Sequence, residues 1–188
     1  MDRDEGSVNS KYEWTKVMRK QKGFSLIELL IVVGIILVIA AIAIPNLMRA
    51  RMAANDSSAA GSMHAINAAE VGYFGSYENV GFPATLAPLG GADPCTPSVA
   101  TGCLIDNNLA TNGGGTGKSG FSFAATGSPS SGSATNNQFY ATGTPINNMS
   151  GTRAYCSADD MVIRLQAPGN TTLIGSYTAC LGLSAMNN

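Results

Sequence analysis

The sequence predicts an α+β fold. A long N-terminal helix, membrane-spanning over its first half, packs on a C-terminal head built around an antiparallel β-sheet. Three observations carry that expectation. Leu29 to Ile44 form a run of 16 residues with no charged or strongly polar side chain. Beyond this run, apolar residues return at helical spacing. In the second half, apolar and polar residues alternate in short stretches between turn formers, as they do in half-buried strands. Of the 188 residues, 45% are hydrophobic and only 12% charged, and the net charge is −1. A single long apolar run excludes a polytopic membrane protein. A net charge near zero removes global electrostatics as an argument for nucleic-acid binding.

Residues 1–23 read as a cytoplasmic leader. They hold six basic groups (Arg3, Lys11, Lys16, Arg19, Lys20, Lys22) against four acids (Asp2, Asp4, Glu5, Glu13), and the last four cations stand directly before the apolar run. Phe24 to Ile44 make 21 residues, and about 20 suffice to cross a bilayer. Residues 24–44 are therefore expected to be transmembrane, with the basic flank in the cytoplasm. Glu28 does not fit a plain anchor. An acid at the bilayer centre costs roughly 2.5–3.5 kcal/mol on insertion scales. Either Glu28 lies at headgroup level or it awaits a partner, and the second reading is favoured because intramembrane acids are by default functional. A secretory signal cut after Ala41-Ile42-Ala43 fits less well. Its 43-residue leader would exceed the usual length of roughly 15–30 residues and enclose Glu28. The alternative is cleavage before the run, at Gly23-Phe24.

Lys22-Gly23-Phe24-Ser25-Leu26-Ile27-Glu28-Leu29-Leu30 resembles the processing site of type IV prepilins and pseudopilins, and Ala40-Ala41-Ile42-Ala43-Ile44-Pro45 is similar to the same family. The likeness is specific over Lys22 to Arg51, weaker as far as Tyr77, and says little about residues 78–188. It implies that prepilin peptidase, a membrane aspartyl enzyme, cuts after Gly23 and methylates the new amine of Phe24. Gly23 has no side chain to obstruct passage through a tight protease cleft. It also implies that Glu28 pairs with the Phe24 amine of a neighbouring subunit. Insertion in register then neutralises the acid, and insertion out of register leaves it bare. The further implications are a helical homo-oligomeric filament, an inner-membrane assembly platform as partner, and no cofactor. The subunit would be single-pass in the inner membrane before assembly and extracellular in a pilus afterwards. The leader is longer than many in the family, and Met18 offers an alternative start.

The helix is expected to cover 24–77, which is 54 residues, or roughly 80 Å. Pro45 removes one backbone hydrogen bond and is expected to kink it. Ala59, Met63, Ile66, Ala69, Tyr73 and Tyr77 share one face, while Asn55, Asp56, Ser58, Ser62 and Asn67 lie on the opposite face. Arg49 and Arg51 read as interfacial cations. His64 has no Cys or His nearby and reads as a surface or boundary residue, so no metal is expected.

Residues 78–118 lack a helical period and read as a connecting loop rich in Pro and Gly. Between Asn107 and Thr152, 30 of 46 residues are Gly, Ser, Thr or Asn, a composition that by itself suggests a linker. Apolar alternation inside it argues otherwise. Gly120–Ala125 and Gln138–Thr142 read as strands joined by a turn at Ser128–Asn136. Thr152–Cys156 and Met161–Leu165 read as a second pair around Ala158-Asp159-Asp160. The head at 78–188 is thus expected to hold about four antiparallel strands laid on the helix stripe, which is also the family's arrangement, with an irregular tail from Asn170 to Asn188. Four cysteines in an exported head favour two disulfides, for which three connectivities exist. Cys95–Cys103 and Cys156–Cys180 are preferred because both close short local loops. The second would staple the tail to a strand, as pilin disulfides commonly do.

No nucleophile elbow, phosphate-binding loop or zinc motif is present in the sequence, and Asp159-Asp160 reads as a turn, a poor calcium loop. An enzyme is not expected. The leading expectation is a type IV pilus subunit. The alternatives are a pseudopilin of a type II secretion system and a minor pilin with an adhesive role. After Arg51 the only cations are Lys118, Arg153 and Arg164, against seven acids, so no specific nucleic-acid partner is expected. Asn55-Asp56-Ser57, Asn148-Met149-Ser150 and Asn170-Thr171-Thr172 match the N-glycan acceptor pattern, which short sequences also meet by chance.

Overall fold

The computed structural model describes residues 23–186. The leader before Gly23, with Met18 and the basic cluster, lies outside the described residues. The described residues divide into two units, one ending at Ile42 and the other beginning at Ala43.

Within the first unit, helix α1 (Leu26–Ser76) begins after Gly23-Phe24-Ser25, which belong to no helix or strand. Its first turn is anchored on Ser25, whose carbonyl accepts from the Glu28 and Leu29 amides at 3.1 and 3.2 Å. Every large apolar side chain from Phe24 to Ile42 is exposed. A helix that is apolar all round and uncovered needs a non-aqueous surrounding, either a bilayer or other helices. Helical hydrogen bonding is what such a surrounding demands, because it satisfies the backbone internally.

In the second unit α1 continues to Ser76, and Pro45 lies inside it without ending it. The expected stripe is the buried one. Ala59, Met63, Ile66, Ala69 and Tyr73 are buried in one cluster with Phe121, Phe123, Phe139, Ala141 and Tyr155 of the sheet, and Tyr77 is partly buried against it. Burying each large side chain stabilises the head by roughly 1.5–3 kcal/mol.

The opposite, polar flank is partly covered. Ser62 and Asn67 are buried. The Asn55 amide donates to the Ser150 carbonyl at 2.8 Å, and Asn67 donates to the Met161 carbonyl at 3.2 Å. Asp56 accepts from the backbone amide and the hydroxyl of Thr152. These short polar side chains satisfy loop backbone that would otherwise be unpaired, which explains polar residues on a covered face. The loop comes close because Gly151 has no side chain. A Cβ there would collide with the Phe121 ring and Asp56.

The sheet is a meander in the order β1-β2-β3-β4-β5, antiparallel throughout: β1 Phe121–Ser128, β2 Gln138–Pro145, β3 Tyr155–Ala158, β4 Arg164–Leu165 and β5 Ser184–Ala185. The first pair is fixed by aromatic and small residues on the inner face, with Phe123 opposite Gly143 and Ala125 opposite Ala141. Along the outer edge of β1, the Phe121, Phe123 and Gly127 amides donate to the Lys118 carbonyl, the Asn112 side chain and the Pro83 carbonyl. Before the sheet, residues 78–118 are not wholly irregular. They contain the one-turn helix α2 (Asn107–Ala110), capped by Asp106, whose carboxylate accepts from the Leu109 amide at 2.9 Å.

Several expectations are corrected. There are five strands, not four, and the fifth comes from the tail expected to be irregular. The tail also holds the short helix α3 (Tyr177–Leu181), capped by the Ser176 side chain. The third strand lies three residues later than its expected start, and the fourth keeps only two of five expected residues. Met161, at a left-handed φ of 60°, breaks the extended run that would have lengthened β4.

Cys95 is bonded to Cys103 and Cys156 to Cys180, each pair with Cα atoms 5.9 Å apart. The second bridge ties α3 to β3 over a small cluster with Ala154 and Ile174. It spans 24 residues, for which the chain-entropy account gives about 3 kcal/mol. Replacing Cys156 and Cys180 by Ser should lower head stability by that amount. An unchanged urea midpoint would show that the bridge is dispensable.

Candidate functional site

Gly23 and Phe24 precede α1 outside any helix or strand, and Phe24 is 81% exposed. The peptide bond between them therefore lies outside any regular element, as proteolysis requires. Glu28 is the acid of the first helical turn. Ser25-Leu26-Ile27-Glu28 has the spacing of a capping box, a signal not drawn from the sequence. No side-chain hydrogen bond of Ser25 or ion pair of Glu28 is formed among the described residues. An acid in the first turn still interacts favourably with the helix dipole, by about 0.3–1 kcal/mol at an exposed site. The Glu28 neighbours at three and four positions are Phe24, Ser25, Ile31 and Val32, none of them a side-chain cation.

The other sequence-derived residues are dispersed. Arg49, Arg51 and His64 are exposed on α1. Asp159 and Asp160 face different partners. Asp159 accepts from the Tyr177 hydroxyl at 2.7 Å, while Asp160 accepts from the Arg164 guanidinium at 3.0 Å and the Val162 amide at 3.1 Å. The Arg164 hydrogen bond holds the Asp160 carboxyl below its usual range. The bond to Asp159, with burial, pushes the Tyr177 phenol up to about 12. Each acid is committed to local structure. Asp106 behaves likewise. Burial opposes its ionisation, but the Leu109 amide and Lys118 outweigh it and its carboxyl is lowered.

Sequence reasoning missed Glu70. It is 0% exposed, and neither carboxyl oxygen has a hydrogen-bond partner. Burial pushes its carboxyl from 4.5 up to about 8. Burial raises the neighbouring Tyr73 phenol too, with smaller contributions from Tyr77 and Glu70. The signal was present in the spacing. Glu70 is four residues after Ile66 and three before Tyr73, which puts it on the stripe itself.

A family model described as the prokaryotic N-terminal methylation motif matches residues 18–44. Over 40 residues the chain is 62% identical to the type IV wide pilus major component PilA4 of Thermus thermophilus, a match covering 21% of this chain and 30% of that relative. The chain thus spans less than a third of the length of the curated relative it matches. No solved structure matches it. These findings place a prepilin-type N-terminal methylation motif, and a likeness to a type IV pilus component, on the start of the long apolar helix. Type IV pilins are structural subunits, so the likeness is to structural proteins and not to enzymes.

Proposed function

We propose that this chain is the structural subunit of a type IV pilus filament. In this reading prepilin peptidase cuts between Gly23 and Phe24 and methylates the Phe24 amine. The segment 24–44 holds the subunit in the inner membrane as a single pass, N-terminus in the cytoplasm, until an assembly platform adds it to an extracellular filament. The domain reading is leader 1–23, helix 24–77 and head 78–188.

The observation that carries the reading is the Gly23-Phe24 motif followed by an apolar stretch of α1 whose large side chains are exposed, with one acid, Glu28, in the first turn. A simple anchor has no use for that acid. A subunit that must align with copies of itself does. The relative's description as a major pilus component favours a pilin over a pseudopilin, and surface shearing separates the two.

Mass spectrometry of sheared surface material should find this chain beginning at a methylated Phe24, and Gly23→Val should leave the precursor uncut in the membrane. A mature chain beginning at Ile44 would establish an ordinary signal peptide instead. Absence from the sheared fraction, with processing intact, would favour the pseudopilin.

A further inference from the structure

Three segments carry an asparagine two residues before a hydroxyl residue, and the structure separates them. Transfer of a glycan to such an asparagine needs an accessible carboxamide nitrogen. A donor held on the carboxamide oxygen helps, because it stabilises the imidate-like form whose nitrogen lone pair can attack. Asn55 lies within α1 and its nitrogen is already donating to the Ser150 carbonyl at 2.8 Å. Asn148 is exposed, but the hydroxyl two residues on belongs to the buried Ser150, which donates to Asn147 at 2.9 Å instead.

Asn170 differs on every count. It is exposed, in the loop between β4 and α3. Its Oδ1 accepts from the Thr172 hydroxyl at 2.8 Å and the Thr172 amide at 3.2 Å. The Gln166 amide nitrogen, in the orientation that satisfies both its ends, is also 3.2 Å from that oxygen. The Asn170 Nδ2 donates to nothing among the described residues. The backbone beneath is fixed: the Asn170 carbonyl accepts from the Ala154 amide at 3.2 Å, and the Gly169 amide donates to the Thr152 carbonyl at 2.8 Å. The loop lies within the segment closed by Cys156–Cys180.

We propose that Asn170 is an N-glycan acceptor. Its Nδ2 attacks C1 of a glycan carried on a polyprenyl diphosphate. The C1–N bond forms as the C1–O bond to the diphosphate breaks. The polyprenyl diphosphate leaves with the bonding electron pair, and the Nδ2 proton passes to a base of the transferase. Thr172 is the positioning residue, acting through the Asn170 oxygen.

The test is glycopeptide mass spectrometry of the chain sheared from its native host, as wild type, Asn170→Gln, Thr172→Ala, Thr172→Ser and Asn148→Gln. The glycan should be found on the Asn170 peptide of the wild type, Thr172→Ser and Asn148→Gln chains, and be lost from Asn170→Gln and Thr172→Ala. A bare Asn170 in the wild type overturns the proposal, as does a glycan on Asn148 or one retained at Asn170 in Thr172→Ala. The proposal assumes an exported head. The same spectra report the mature N-terminus, so a chain starting at Phe24 with Asn170 bare sinks the glycan and leaves the filament reading standing.

Discussion

Glu28→Ala should abolish filaments while leaving processed subunit in the membrane. The carboxylate lies in a turn whose neighbours are Phe24, Ser25, Ile31 and Val32, and the helix that follows is apolar and exposed. If that helix packs among copies of itself, the acid must be neutralised there. The cation chemically at hand is the amine that cleavage creates on Phe24, and a neighbouring copy offset along a filament axis would bring it near. Removing one member of a buried pair costs roughly 3–5 kcal/mol, repeated at every subunit. The rival role, an acid favourable to the helix dipole, is worth only about 0.3–1 kcal/mol and would leave assembly nearly intact. The two readings are therefore well separated. The measurement compares processed subunit in membranes with filament in the sheared fraction. Normal filament yield would demote Glu28 to a residue of the helix start.

The head should lose stability as pH rises between about 4.5 and 8, and Glu70→Gln should remove that loss. The folded carboxyl is raised from 4.5 to about 8 because it is buried without a hydrogen bond. Below 4.5 the group is protonated in both the folded and unfolded states and adds no pH dependence. Between the two values the unfolded chain releases a proton that the folded chain keeps. Stability then falls by about 1.4 kcal/mol per pH unit. Above the folded value the loss is complete, at an order of 5 kcal/mol. Asp106 and Asp160 are lowered from 3.8, so their contributions have the opposite sign and vanish only in stronger acid. Thermal unfolding of the processed subunit in mild detergent, followed across pH 5–8, reads the effect. A wild-type profile as flat as that of Glu70→Gln would show that Glu70 is hydrated or paired in solution.

The two acids show what a sequence makes visible and what it hides. Glu28 interrupts a run of apolar residues, and a charge there is conspicuous without any structure. Glu70 stands in a stretch where polar residues are common, and only its phase relative to Ile66 and Tyr73 gives it away. The sheet divides in the same manner. β1 and β2 are written in Phe121, Phe123 and Phe139, whose alternation needs no partner to be seen. β5 is two small residues, Ser184-Ala185, with no pattern of their own. They become a strand because the tail returns to β4, where the Met186 amide donates to the Ile163 carbonyl at 2.8 Å. Likewise Asn67 stands on the polar flank of the helix, and is covered where its amide meets the distant Met161 carbonyl. Local chemistry was legible, and so was the cysteine pairing that ties the tail to β3; the other contacts made by returning chain were not. The proposed N-terminal ion pair is a different case, since its motif is entirely local while its partner belongs to another copy.

The outer edge of β1 bears on how such a chain can be crowded without sticking. An eight-residue border strand is a template on which another chain can add a strand, and that route leads to amyloid-like stacking. Here three of its amides are already taken by Lys118, Asn112 and Pro83. At the other border β4 and β5 are two residues each, too short to seed a ladder. Both margins of the sheet are therefore poor polymerisation seeds. In the proposed filament, heads held side by side at very high local concentration would remain separate folding units, and ordered growth would be left to helices.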